Sequence, residues 1–365
     1  MADTGHDMIQ FDFEALRSVG LTPAVLQCAA GADGGEAPLR LLRVTEVHRD
    51  AVRVHDGHDE CAARVLPRLA RAMEEGGEGL AAGDWVLAAD DGFGQCWLHA
   101  RVPPLTHLAR RDEQGRAKAI VSNVDTALLV MGLDGDFNVR RAERFLALVH
   151  GSGVIAVVVL TKADLVPDAA RDAGVDALRR RLPSQVGVIA VDATSPEAAR
   201  RLAPWLASGQ TLVMLGSSGA GKSTLTNTLL GTAARATGAV REHDGRGRHT
   251  TTSRSLVRLP GGACVIDTPG VRTLRPDVDE AGLAASFGDI DALAARCRYR
   301  DCAHADEPGC AVRAGVDPDR LRNYHKLRRD AQRDAMSALD RHRQVAQWKA
   351  RSRSVRAWMK AKGRT

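Results

Sequence analysis

One run in this chain has the residue types and spacing to cradle a polyphosphate: Gly216-Ser217-Ser218-Gly219-Ala220-Gly221-Lys222-Ser223. Its glycines let the backbone turn so that successive N–H groups point at phosphate oxygens. Lys222 would set its charge between the β- and γ-phosphates, Ser223 would give a hydroxyl to Mg²⁺, and Thr224 continues into the helix that must follow. Asp267, first residue of Asp267-Thr268-Pro269-Gly270, is the expected second group on the magnesium, and Gly270 the expected N–H donor to the γ-phosphate. Thr161-Lys162-Ala163-Asp164 has the form of a guanine reader. A carboxylate at Asp164 can accept from both N1–H and the 2-amino group, donors that adenine lacks in that arrangement, while the Lys162 stem packs on the base. Val191-Asp192-Ala193-Thr194 is a weaker signal for a backbone N–H near the base.

The polar stretch from Arg246 to Thr252 lies between the phosphate loop and Asp267 and reads as a switch loop. One of Thr250, Thr251 and Thr252 is expected on the magnesium, with Thr251 preferred. Many GTP hydrolases orient the attacking water with a glutamine just after the Asp-x-x-Gly motif; here Val271 stands there and cannot. His249 is the local substitute, so His249, Lys222 and Thr251 form the candidate catalytic set.

A second constellation is Cys297-x4-Cys302-x-His304-x5-Cys310. Three thiolates and one imidazole make a full tetrahedral set for a structural Zn²⁺, with no open position for catalysis. Such an ion would staple a small, aromatic-poor module that is not expected to hold a core otherwise.

The elements that must position these groups follow from the apolar pattern. Continuous apolar runs at 125–131, 154–160, 186–191, 211–215 and 263–266 alternate with helical segments such as 139–149 and 224–230. That pattern predicts a parallel sheet covered on both faces, with ligand groups at the C-terminal ends of its strands. The guanine motif precedes the phosphate loop, the reverse of the usual order, which predicts a circularly permuted α/β P-loop domain. Upstream, short strands at 41–47, 51–54, 84–88 and 95–102, separated by turn residues, predict an N-terminal OB-fold β-barrel. Trp85 and Trp97 have the shape to stack bases, but core filling is the plainer role for each. The leader holds a short helix at 13–19 and a Gly/Ala-rich linker at 31–35, without a functional reading. A helical region begins at Pro318, with Leu321, Tyr324, Leu327, Val345, Trp348, Val355 and Met359 at helical spacing. The expected division is a leader at 1–37, a barrel at 38–108, the permuted GTPase domain at 115–280, and a zinc-binding domain with basic helices at 281–365.

Composition sets outer bounds. With 365 residues and 44% apolar content, two or three domains are expected. The chain has no apolar run of about 18 residues to span a membrane, and Asp3 and Asp7 sit where a signal peptide would be basic and then apolar. A cytoplasmic location follows, and nothing demands more than a monomer. From Arg320 onward there are 15 Lys/Arg against 3 Asp/Glu, a net of +12 in a chain of net +6. The basic excess is therefore confined to the tail, which suggests a polyanion partner, most simply RNA.

Taken together, these motifs resemble the bacterial small-ribosomal-subunit-dependent, circularly permuted GTPases. The likeness runs from about Leu39 to Tyr324. It includes Gly83-Asp84-Trp85-Val86, Ser122-Asn123-Val124-Asp125, Asp136-Phe137-Asn138, the guanine motif and the phosphate loop. It continues through Arg248-His249-Thr250-Thr251-Thr252 and Asp267-Thr268-Pro269-Gly270-Val271-Arg272 to Glu307-Pro308-Gly309-Cys310-Ala311-Val312. The resemblance implies a GTP/GDP- and Mg²⁺-dependent hydrolase with one structural Zn²⁺. It implies docking on the small ribosomal subunit and its rRNA, hydrolysis stimulated by the subunit, release afterwards, and a catalytic role for His249. Thr161 stands where the family more often has Asn, and the leader is slightly acidic where some members carry a basic arm. Two other readings compete: a GTP-regulated RNA-binding switch with little hydrolysis, which the presence of Lys222, Ser223 and Asp267 opposes, and a P-loop kinase or ATPase, which Asp164 and the permuted order oppose.

Overall fold

The computed structural model describes residues 9–32, 38–48, 51–111, 117–231, 254–268 and 280–335. Five strands form the N-terminal barrel: β1 (Arg40–Val47), β2 (Val52–His55), β3 (Glu60–Val65), β4 (Trp85–Asp90) and β5 (Cys96–Arg101). They pair in the order β1-β2-β3-β5-β4, and a further β1–β4 pairing closes the ring. The interior is filled by Leu42, Val44, Val52, Val54, Ala63, Val86, Ala88, Cys96 and Leu98. Four of these strands match the sequence expectation. The fifth, β3, has only Ala63 buried, so no apolar alternation announces it; its pairing with β2 and β5 holds it in place. A helix, α3 (Pro67–Glu75), follows β3.

The leader is not a detached arm. Helices α1 (Phe13–Arg17) and α2 (Pro23–Ala30) are capped by the side chains of Asp12 and Thr22, as short polar N-caps do. They and the turn between them bury Leu16, Val19, Leu21, Val25 and Ala29 in the main core. Gly31 and Ala32 of the expected linker are described and the rest of it is not.

After a hairpin, β6 (His107–Arg111) and β7 (Ala117–Ser122), comes the α/β sheet. Its order is β10 (Gly187–Ala190), β9 (Ile155–Thr161), β8 (Thr126–Gly132), β11 (Thr211–Leu215), β13 (Cys264–Asp267) and β12 (Ser255–Arg258). The first five are parallel and β12 is antiparallel. Every residue of β8 and β11 is buried, the signature of a parallel sheet covered on both faces. Helices α4 (Val139–Gly151), α5 (Asp168–Arg179), α6 (Glu197–Leu202) and α7 (Lys222–Leu230) make the connections.

Two sequence motifs meet where the barrel joins this sheet. Gly83 has φ +93°, and a Cβ there would stand 2.1 Å from the Ser122 carbonyl oxygen. Asn123, in the left-handed region at φ 52°, donates its side-chain amide to the Gly83 carbonyl at 2.9 Å and accepts from the Leu105 N–H. The buried Arg43 guanidinium donates to the carbonyls of Val19 and Asn123 and lies 5.1 Å from the Trp85 ring. One side chain thus ties leader, barrel and GTPase sheet. Trp85 is fully buried, so it fills the core. Trp97 is half-buried, its indole N–H donating to Asp91.

The C-terminal region comprises α8 (Glu280–Ser286), α9 (Gly288–Ala294), α10 (Ala311–Gly315) and α11 (Pro318–Ala335). Here the picture of a coreless module held only by zinc is corrected. Leu283, Phe287, Ile290, Val312, Val316 and Leu327 belong to the same apolar cluster as Ala142, Leu146 and Val149 of α4. The basic tail beyond Ala335, with Val345, Trp348, Val355 and Met359, lies outside the described residues.

Gly83→Ala is expected to be strongly destabilising. The φ alone costs about 1–3 kcal/mol in a non-glycine residue, and the clash is with backbone, which cannot rotate away. A lowered thermal midpoint with the zinc content unchanged would place the damage at this joint; an unchanged midpoint would show that the joint is not rigid.

Candidate functional site

The phosphate loop leaves the end of β11 and enters α7 at Lys222. Gly216 is required by packing: a Cβ there would meet the Val130 carbonyl oxygen of β8 at 2.2 Å. Ala220 is buried, whereas Ser218, Gly219, Ser223 and Thr224 face solvent at the mouth of the loop. The Lys222 ammonium curls back and donates to the carbonyls of Gly216 at 3.0 Å and Ser217 at 2.7 Å. Burial lowers its pKa, with Asp267 and Asp136 pulling the other way. Burial raises that of Asp267, with Lys222 opposing. Both groups are thus pushed toward their neutral forms, and an incoming anion with a divalent cation supplies the counter-charges that each lacks.

The guanine motif ends β9, and β8 separates it from β11. The two loops nevertheless touch. The Thr161 hydroxyl donates to the Ala220 carbonyl at 2.7 Å. The replacement of Asn by Thr at this position therefore keeps a donor aimed at the phosphate loop. Lys162 takes a left-handed conformation, φ 60°, and caps a 3-10 turn over Ala163–Leu165. That turn presents Asp164 to solvent. The Lys162 ammonium pairs with Asp134 at 2.6 Å, which holds the Asp134 carboxyl below its usual range. In the weaker motif, the Ala193 carbonyl accepts from Thr228 of α7 at 2.6 Å, and Asp192 binds the Thr194 N–H and hydroxyl. This turn is drawn toward the helix that carries the phosphate loop.

Sequence reasoning assigned no role to Asp134, Asp136 or Arg141. Asp136 accepts from the Ser217 hydroxyl at 2.5 Å and also from Arg141, whose guanidinium donates to Ser217 at 2.8 Å. The signal was present in Asp134-Gly135-Asp136-Phe137-Asn138: acids just past a buried strand, ending in an Asn that caps α4 by accepting from the Arg141 N–H. His249, Thr251 and Gly270 lie outside the described residues.

The second cluster is assembled as its spacing predicts. The ligand atoms of Cys297, Cys302, His304 and Cys310 all lie within 4.8 Å of one another. The Cys297 and Cys310 sulfurs are 3.9 Å apart, against roughly 3.8 Å for two sulfurs in a tetrahedron of ~2.3 Å zinc bonds. His304 turns Nδ1 toward both, at 3.7 and 3.5 Å. Two local devices shape this knuckle. The Glu307 carboxylate accepts from the N–H groups of Ala303 and Ala305, and His304 adopts a left-handed φ of 61°. The donor set and its spacing fit Zn²⁺.

Comparison with known proteins agrees with this geometry. The family model described as RsgA GTPase matches residues 102–276. A curated protein of Xanthomonas campestris pv. campestris (strain B100), named small ribosomal subunit biogenesis GTPase RsgA, is 48% identical over 294 residues, covering 78% of this chain and 79% of its own length. A protein of the same name from Xanthomonas axonopodis pv. citri is 45% identical over 342 residues, 90% of each chain. Among solved structures, YjeQ from Thermotoga maritima superposes with a TM-score of 0.59 at 22% identity, over 80% of this chain and 99% of that one. YloQ, a circularly permuted GTPase, gives 0.56 at 20% identity, over 84% and 99%. The permuted fold is thereby established for this chain.

Thr161→Val leaves the buried Ala220 carbonyl unpaired, a loss of about 1–2 kcal/mol, so guanine-nucleotide affinity should fall about tenfold. Thr161→Asn should retain binding. Titration with a fluorescent GDP reads both, and an unchanged Val variant would show that the loop is held without this bond. For the Cys/His cluster, elemental analysis should return about one zinc per chain, lost in Cys302→Ser together with a lower melting temperature. Protein that folds normally with no zinc would refute the assignment.

Proposed function

The chain belongs to the RsgA GTPase family, the small ribosomal subunit biogenesis GTPases, and on that premise we propose that it is a late checkpoint of small-subunit maturation. In the GTP state it docks on the subunit's rRNA; docking completes the catalytic site; hydrolysis releases it. The observation that supports this best is the direct bond between the two halves of the nucleotide site, Thr161 to Ala220. It brings a guanine reader and a phosphate cradle to one edge of the sheet, although they are far apart and reversed along the chain.

Within this reading Asp164 accepts from guanine N1–H and the 2-amino group, and Lys162 packs along the base. The loop from Gly216 to Thr224 wraps the phosphates, with Lys222 exchanging its bonds to the Gly216 and Ser217 carbonyls for phosphate oxygens. When bound, Mg²⁺ neutralises charge on the β- and γ-phosphates; Ser223, Thr251 and Asp267 are the residues to hold it. Gly270 donates its N–H to the γ-phosphate, and His249 orients the attacking water. Cys297, Cys302, His304 and Cys310 hold Zn²⁺. The domain division is the one read from the sequence: leader 1–37, barrel 38–108, GTPase domain 115–280, and zinc-binding domain with basic helices 281–365. The protein acts as a monomer in the cytoplasm; no helix among the described residues is long and apolar enough to cross a membrane.

The test is GTP turnover with and without purified small ribosomal subunits, in the unsubstituted protein, Lys222→Ala and His249→Ala. Stimulation by the subunit is expected, abolished in the Lys222 variant and lowered about 100-fold or more in the His249 variant, in line with loss of a positioned acid–base group. Stimulation that survives in His249→Ala would move the catalytic role elsewhere. GTP binding without stimulation would favour a GTP-regulated RNA-binding switch.

A further inference from the structure

Phe93 is 95% exposed, more than any other large apolar side chain among the described residues. It stands at the tip of the β4–β5 connection, and that connection is built to hold it there. The Asp91 carboxylate accepts from the N–H groups of Phe93 at 2.8 Å and Gln95 at 3.1 Å, and from the Trp97 indole N–H at 3.2 Å. The Asp91 N–H in turn donates to the Gln95 carbonyl. Gly92 and Gly94 flank the ring at φ +82° and +88°, a conformation that keeps the turn tight. The ring is presented on a preformed loop, so little ordering cost remains when something binds it.

The surroundings indicate what that is. In a closed five-stranded barrel of this type, the β4–β5 loop is one of two that carry oligonucleotides. Strand β5 alternates inward Cys96, Leu98 and Ala100 with outward Trp97 and His99. Trp97 is in register with the exposed Arg64 of β3. Arg68 of α3 bonds to His99 at 3.2 Å. The barrel thus carries an exposed ring at its loop tip, a second aromatic joined to that loop through Asp91, and two guanidinium groups further along β3 and α3. This is the mixture that binds unpaired nucleotides: π-faces for bases, cations for phosphates. A protein anchor would instead sit at the centre of a desolvated apolar patch, and the residues around Phe93 are Gly92, Gly94, Gln95 and two carboxylates, Asp91 taken up by the loop's own N–H groups and Asp90 paired with Arg40.

We propose that Phe93 is a base-stacking residue, on which an unpaired base of the small subunit's rRNA packs while Arg64 and Arg68 meet phosphates further along the same strand. This rests on the reading that the chain docks on that rRNA.

Binding to purified small subunits is measured in the presence of a non-hydrolysable GTP analogue. Phe93→Ala should weaken it by about 5- to 150-fold, the range for loss of one stacked base. Phe93→Trp should restore it. The slope of log affinity against log salt should not change, because no charge has been removed. GTP turnover without subunits should also be unchanged, since Phe93 is remote from the nucleotide loops. A benzophenone amino acid at position 93 should cross-link to rRNA. Unaltered affinity in Phe93→Ala, or cross-links to ribosomal proteins alone, would overturn the proposal. Failure of the unsubstituted protein to bind subunits at all would remove the rRNA-docking reading, and this one with it.

Discussion

The nucleotide site depends on one short contact across the sheet. Strand β9 carries the guanine motif and β11 the phosphate loop, with β8 between them. The hydroxyl of Thr161 spans that gap to the Ala220 carbonyl, and β8 gives way beneath it. The Gly216 Cα approaches the Val130 carbonyl too closely for any side chain, and at Gly132, the end of β8, a Cβ would meet the Asp134 carboxylate at 2.6 Å. Chain order does not enter into this contact. A parallel sheet puts all its C-terminal loops on one edge, so the ends of the fold can be relocated while the edge is preserved. That is why a permuted chain still builds the same kind of site.

Helix α4 carries the arrangement further. Its first turn lies between the phosphate loop and the C-terminal helices. On one side Asp136 and Arg141 grip Ser217. On the other, Arg140 pairs with Asp319, and Glu143 is buried among Arg320 at 2.6 Å, Arg181 at 2.9 Å and Asn323 at 2.6 Å. Arg320 also reaches Asp289 and lies over the Phe287 ring. A buried carboxylate with this many donors is fully compensated; removing any donor leaves charge exposed to a low-dielectric interior. The network therefore fixes α11, from which the basic tail continues, against the helix that borders the nucleotide loop.

Much of this was legible in the sequence, and the exceptions have physical causes. The phosphate loop, the guanine motif and the Cys/His set were visible because their chemistry demands particular residues at fixed spacing. The strands of the parallel sheet were visible as unbroken apolar runs. Strand β3 was not, because its exposed residues Glu60, Cys61 and Ala62 show no apolar alternation and only Ala63 is buried. The packing of the leader was hidden because α1 and α2 are too short to show periodicity, and only their burial against Arg43 and the sheet reveals that they belong to the core. Asp136 and Arg141 were hidden for a different reason. Acids and arginines near a strand end are common, and only the fold shows that they converge on Ser217. The residues expected to complete catalysis, His249 and Thr251, fall in a segment outside the described residues, so their placement rests on the sequence.

The barrel's attachment bears on how docking and hydrolysis can be linked. Strand β12 begins at Ser255, immediately downstream of the segment holding His249 and Thr251. Ser255 is in register with Asp267 of β13 on one side and with Glu46 of barrel strand β1 on the other. Adjacent strands are about 4.8 Å apart, so the backbone at Asp267, the acid facing Lys222, is about 10 Å from the barrel wall. Ser255, three residues beyond the candidate switch segment, is thus paired with both the nucleotide sheet and the barrel. On the proposed reading, a load that rRNA places on the barrel has one strand to cross to reach the backbone at Asp267. With Val271 at the position where many GTPases carry the water-positioning glutamine, the proposed completion of the site by a bound subunit has that single strand as a physical route.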